Sequence, residues 1–158
     1  MASVQFKYKF VLPIFLVAAF LILPSIQAKP VKYCDKTGNN YAVKISGVKI
    51  NPEPVVSGKP ATFNIYASTE QELLGAELVL EVRYFGVHVH SEKHDLCEEA
   101  GGCPIKTGDF VISHSQELPG FTPPGPYSLQ MKMNSKEGHL LTCISFNFRI
   151  EFPSVADA

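Results

Sequence analysis

The stretch Tyr127–Ile150, YSLQMKMNSKEGHLLTCISFNFRI, decides the fold class. Tyr127, Leu129, Met131 and Met133 alternate with Ser128, Gln130 and Lys132, and Ile144, Phe146, Phe148 and Ile150 alternate with Ser145, Asn147 and Arg149. Successive side chains of a strand point to opposite faces, so each run is a strand with one apolar face. SKEG, Ser135 to Gly138, is a short polar turn with glycine, which makes the two runs antiparallel neighbours.

Upstream the same period recurs, and no window sustains a helical one. TFNIYAS sets Phe63, Ile65 and Ala67 against Thr62, Asn64 and Tyr66, and AELVLEVRY sets Ala76, Leu78, Leu80, Val82 and Tyr84 against Glu77, Glu81 and Arg83. Weaker strands are expected at Tyr41–Ile50 and Asp109–Ser115. The proline-rich connectors NPEPVVSGKP and LPGFTPPGP stop ladders and expose loops. About seven or eight short strands separated by such turns predict an all-β chain, an immunoglobulin-like sandwich of two antiparallel sheets. A closed barrel is the alternative.

The first 28 residues read as a secretory signal peptide. Lys7 and Lys9 form a basic start, Phe10–Leu23 is the apolar run and SIQA ends on the small Ala28. The run is short of the roughly 20 residues that span a bilayer. The remainder, residues 29–158, fits one domain. Loss of Lys7 and Lys9 moves the formal charge from −1 to −3. With no basic stripe and no Arg-interleaved aromatics, nothing recruits nucleic acid.

Cys34, Cys97, Cys103 and Cys143 all lie in the exported part, where thiols pair. Three connectivities are open. The short Cys97–Cys103 spacing favours a local clip, leaving Cys34 to Cys143.

YFGVHVHSEKHDLCEEAGGCPIK, Tyr84 to Lys106, carries three histidines between strand and clip. On an extended strand His88 and His90 share a face about 6.6 Å apart, a spacing that suits zinc, with His94 or Asp95 to complete the set. Residues 91–95 read instead as a flexible polar turn, so the third ligand is missing and no metal site is expected. Parity suggests a bulge at Phe85–Gly86 that keeps Val87 and Val89 on the apolar side with the histidines outward. No G-x-S-x-G elbow is present, alternation turns His114 away from Ser113 and Ser115, and Glu98–Glu99 reads as a solvated turn. A non-enzyme is expected.

CEEAGGCPIK (Cys97–Lys106), then GDFVISHSQELPGFTPPGPYSLQMKM and LTCISFNFRI, resembles the ML lipid-recognition family, which includes the Niemann-Pick type C cholesterol-transfer protein and group-2 mite allergens. YFGVHVHSEKHDLC and YCDKTGNNYAVKISGVKI look like its plant branch. The resemblance covers Val31–Ile150 and makes residues 29–158 one lipid-binding domain.

It implies two sheets splayed around one lipid. Taken alone, the stripe of bulky inward side chains reads as an ordinary dry core; with the resemblance it becomes cavity lining: Phe63, Ile65, Leu80, Val82, Tyr84, Phe110, Ile112, Met131, Met133, Phe146 and Phe148. Alignment on Cys-Pro-Ile frames the mouth with Val89 and the turn Gly120, Phe121, Thr122 and Pro123. His88, His90 and Lys93 are headgroup candidates by proximity only. The family's usual third disulfide, a small early clip, is absent here. The implied function is non-enzymatic transfer of one sterol or phospholipid, of phosphatidylglycerol or phosphatidylinositol type, between membranes. A lipid-dependent interaction module binding a membrane or receptor protein is the alternative. The expected setting is a monomer with transient membrane contact and no cofactor, either secreted or in an endomembrane lumen such as the vacuole, ER-derived compartments or the apoplast.

Overall fold

A computed structural model describes residues 28–157, so the signal segment expected over 1–28 lies, apart from Ala28, outside the described residues. Among the described residues nine strands form: β1 (Lys32–Tyr33), β2 (Val43–Asn51), β3 (Val55–Val56), β4 (Pro60–Thr69), β5 (Ala76–Tyr84), β6 (Val87–Asp95), β7 (Gly108–Glu117), β8 (Gly125–Ser135) and β9 (Leu140–Glu151). One helical turn, α1 (Leu96–Glu99), joins β6 to β7, and a 3-10 turn follows at Val155–Asp157. Among the described residues no helix is long and apolar enough to cross a membrane.

The strands make two sheets, ordered β1-β9-β8-β5-β6 and β2-β4-β7, with β3 added parallel to β9. Every other pairing is antiparallel, as the alternation predicts. The β8–β9 hairpin closes at Ser135–Gly138, where the Gly138 amide donates to the Ser135 carbonyl at 2.9 Å. Gly138 adopts φ 87°, a conformation that costs glycine nothing.

Pairing in register brings Leu78 opposite Met133 and Leu80 opposite Met131, so the apolar faces of β5 and β8 merge into one surface. That surface packs against Phe63, Ile65 and Ile112 of the smaller sheet. One end of the sandwich is a dry core in which Leu78, Leu96, Met131, Met133 and Ile144 are fully buried.

Two expectations for β6 fail. Phe85 and Gly86 do not bend a continuing strand; at φ 47° and 80° they are the two central residues of a tight hairpin turn linking β5 to β6. Positive φ at both positions matches the right-handed twist of the flanking strands. The bulge lies further on: Arg83 pairs with His88 and Val82 with His90, which leaves Val89 as the extra residue. Ser91–Asp95 is strand rather than flexible turn, paired along Glu77–Glu81.

Opposed residues of an antiparallel pair share a face. The shift after Val89 therefore places His90, Glu92 and His94 opposite Val82, Leu80 and Leu78, on the inward side. The prediction that the histidines face outward with the valines inward is overturned for His90 and His94; Val87 and Val89 are largely exposed.

Two disulfides form, Cys34–Cys143 and Cys97–Cys103, and no described cysteine is free. The first ties the chain after β1 to β9, beside the Cys34 amide that donates to the Cys143 carbonyl at 3.0 Å. The second staples α1, which Asp95 caps by accepting from the Cys97 amide at 2.8 Å and which Leu96 anchors in the core. A helix of four residues is too short to write a period into the sequence.

Candidate functional site

At the end of the sandwich away from the dry core the sheets separate around a cavity of about 490 Å³. Leu80, Val82 and Tyr84 of β5, Tyr127 and Leu129 of β8, and Phe148 and Ile150 of β9 line one wall. Phe63 of β4 stands opposite, its ring edge-on to Phe148 at 5.5 Å and 73°. Leu118, Pro119, Phe121, Thr122 and Pro123 form the mouth on one side and Val89 on the other. A void of only about 10 Å³, lined by Ile65, Ile112, Met131 and Phe146 among others, lies deeper and is bounded in part by Phe63 and Leu129 as well.

The predicted lining divides along this gradient. Phe63, Leu80, Val82, Tyr84 and Phe148 face the main cavity, whereas Ile65, Ile112, Met131 and Phe146 border the small void and not the main cavity. Met133 is fully buried and Phe110 is half-buried against the core, neither on the cavity wall. The methionine part of the stripe thus belongs to packed core, where Met131, Met133 and the register partner of Met133, Leu78, are fully buried. Val89, Phe121 and Pro123 stand at the mouth, with Gly120 one step outside the wall beside Gly58. Of the headgroup candidates only His90 lines the cavity; His88 and Lys93 pair with Arg83 and Val79 on the outer face.

Phe121 is 85% exposed, so it does not fold back as a plug. Phe85, Val87 and Val89 are also exposed, on the β5–β6 hairpin. Hydrogen bonds from the Tyr84 hydroxyl to the Pro124 carbonyl (2.9 Å) and from the Phe85 amide to the Pro126 carbonyl (3.4 Å) hold that hairpin beside the mouth loop. The opening is thereby rimmed by apolar side chains from two segments.

Sequence reasoning missed most of a polar wall, all but His90. His90, Glu92, His114 and Gln116 line the cavity along β6 and β7. Glu92 contacts His90 and, at 2.8 Å, His94; Glu99 of α1 lies 3.3 Å from both His94 and His114. Burial pushes the Glu92 carboxyl up, but the hydrogen bonds and charge of His90 and His94 outweigh it and hold the group below the usual carboxylate range. Alternation separates His114 from Ser113 and Ser115, and the structure buries His114 while both serines are exposed. What no local pattern shows is its meeting with His94, 20 residues upstream, whose ring centroid lies 4.4 Å away.

The ML domain profile matches residues 28–150. A phosphatidylglycerol/phosphatidylinositol transfer protein of Pyricularia oryzae is 30% identical over 80% of this chain and 74% of its own length. The protein of the same name from Candida albicans is 30% identical over 73% of this chain, which spans 62% of that relative. Among solved structures, a Niemann-Pick type C2 protein of the Japanese carpenter ant superposes with a TM-score of 0.55 at 12% identity, covering 82% of this chain and 99% of that one. Chicken MD-1 complexed with lipid IVa superposes with a TM-score of 0.50 at 17% identity, over 74% and 85%. The two structural matches bear on the fold; the profile and the Pyricularia relative decide the family, and the chain belongs to the ML domain family.

Proposed function

We propose that this protein is a non-enzymatic lipid carrier that holds one phospholipid of phosphatidylglycerol or phosphatidylinositol type, or one sterol, between its sheets and moves it between membranes. The cavity carries the reading: about 490 Å³, walled by aromatic and aliphatic side chains, with polar groups confined to one side. Sites of this size and lining suit a single apolar ligand with a polar end. Burying about 300 to 500 Å² of apolar surface at roughly 25 cal/mol per Å² contributes on the order of 10 kcal/mol before ordering costs, enough for micromolar binding. The transfer-protein relatives support the phospholipid class.

The mouth and the cysteines supply the rest of the reading. Phe121, Phe85 and Val87 dip into a bilayer while the lipid crosses, and the chain works as a monomer. Residues 1–28 direct it into the secretory route, and both disulfides persist in a secreted or lumenal compartment.

Vesicle transfer tests the function. Purified protein incubated with donor vesicles carrying fluorescent phosphatidylinositol and unlabelled acceptors is expected to raise the exchange rate in proportion to its concentration, with one lipid per protein in native mass spectrometry. Bound lipid without exchange would favour the interaction module, and absence of bound lipid would overturn both.

A further inference from the structure

Strands β6 and β7 are the terminal strands of their sheets, and side chains from both meet at the polar end of the cavity. His94 Nε2 lies 2.8 Å and His114 Nε2 3.8 Å from the same oxygen, Glu92 Oε2. On the far side of both rings, each Nδ1 lies 3.3 Å from one oxygen, Glu99 Oε1. The side chains are 11% exposed for His114, 14% for Glu99, 23% for Glu92 and 25% for His94.

Donor counting shows what this arrangement lacks. A neutral imidazole carries one N–H, yet both nitrogens of each ring face a carboxylate oxygen. If Nδ1–H of each ring points to Glu99, the two Nε2 lone pairs converge on Glu92 Oε2, acceptor against acceptor. A second proton on each ring or one divalent cation among the three atoms resolves the conflict, and only the cation joins all three at one point. Those atoms all lie within 4.8 Å of one another, and the ligands of a tetrahedral zinc stand about 3.3 Å apart, so small side-chain shifts complete the site. Glu99 already supplies the carboxylate that fixes the tautomer of metal-bound histidine.

We infer that Glu92, His94 and His114 form a zinc site, with Glu99 as the positioning residue for both imidazoles, and that the ion clamps β6 to β7 and α1 at the polar end of the cavity. Two imidazoles and a carboxylate suit zinc among the divalent metals. Gln116 Oε1, 3.3 Å from His114 Nε2, or water takes the fourth position. The expectation of no metal site rested on His88 and His90 lacking a third ligand; His88 has no part here, and the third ligand comes from β7.

The test uses lipid-free protein stripped with chelator, so its failure and that of the transfer function are separable. Calorimetric titration with zinc chloride is expected to give one equivalent bound and a raised Tm, and cobalt(II) in its place the intense visible absorption of a tetrahedral centre. H94A/H114A should lose both, E99Q should bind about ten- to a hundredfold more weakly, and H88A, at a residue whose ring bonds to Ser91, should bind one equivalent as the parent does. Circular dichroism without metal checks that each variant folds. No uptake by the parent protein overturns the proposal whatever the variants do, as does uptake retained by H94A/H114A.

Discussion

Tyr84 and Tyr127 face each other across the β5–β8 ladder with ring centroids 4.7 Å apart, and their hydroxyls donate to successive carbonyls of the mouth loop, Pro124 at 2.9 Å and Pro123 at 2.8 Å. The prolines cannot donate backbone hydrogen bonds of their own, so the loop is fastened to the cavity wall through its carbonyls. Burial, with a smaller contribution from Tyr84, pushes the Tyr127 phenol above its ordinary value, which keeps it a donor. Replacing both by phenylalanine keeps the rings and removes both bonds. Urea denaturation of Y84F/Y127F is expected to show a loss of about 2 kcal/mol, and a fluorescent lipid should leave faster. Unchanged stability with unchanged release would mean that the loop is held by other contacts.

Phe121 projects from the loop those tyrosines hold, and its exposure removes it from core energetics. F121A should therefore leave the free energy of unfolding within about 0.5 kcal/mol of the parent's. Equilibrium binding of a soluble fluorescent lipid should also stay close to that of the parent, while vesicle exchange slows severalfold. Faster release together with weaker binding would instead identify a lid, and exchange at the parental rate would move the membrane contact elsewhere.

How far the sequence could be read depends on which interactions are local. The alternation of Tyr127–Met133 and Ile144–Ile150 across a four-residue turn specifies a hairpin from near neighbours alone, and β8 and β9 appear where it puts them. In β6 one extra residue, Val89, reverses the side of everything after it, so a parity argument that sets the bulge at Phe85–Gly86 exchanges inside for outside. The cavity's aromatic wall was legible as inward-facing residues; that the methionines sit in packed core instead depends on which strands lie across from them. Glu92, His94, Glu99 and His114 come from three elements, and spacing carries no sign of their meeting.

The two disulfides close loops of very different length. Cys34 and Cys143 are 109 residues apart and Cys97 and Cys103 are six apart. Cross-linking removes more entropy from the unfolded chain when the loop is longer, roughly 4 to 5 kcal/mol against about 2 to 3. C34A/C143A is accordingly expected to lower the urea midpoint much more than C97A/C103A. The reverse order would show that the local clip works on the native state, through the α1 contacts that hold Leu96 and Glu99.

The division between dry core and cavity predicts opposite outcomes for two apolar substitutions. Met133 is fully buried and borders neither the cavity nor the void beneath it, so M133A leaves a hole that the surrounding strands cannot fill. It should cost about 2 to 5 kcal/mol, because the lost packing is added to the lost transfer energy. Its lipid affinity, measured below the shifted unfolding transition, should stay within about twofold of the parent, a difference of less than about 0.5 kcal/mol. Val82 lies on the cavity wall and is only partly buried, so V82F adds a ring to empty space rather than to packed side chains. Stability should hold or rise slightly, and lipid binding should fall at least tenfold as the ring takes the ligand's volume. The two readouts together locate the ligand: if M133A weakens binding as much as V82F does, the lipid reaches into the methionine layer, and the cavity must open deeper than its resting volume.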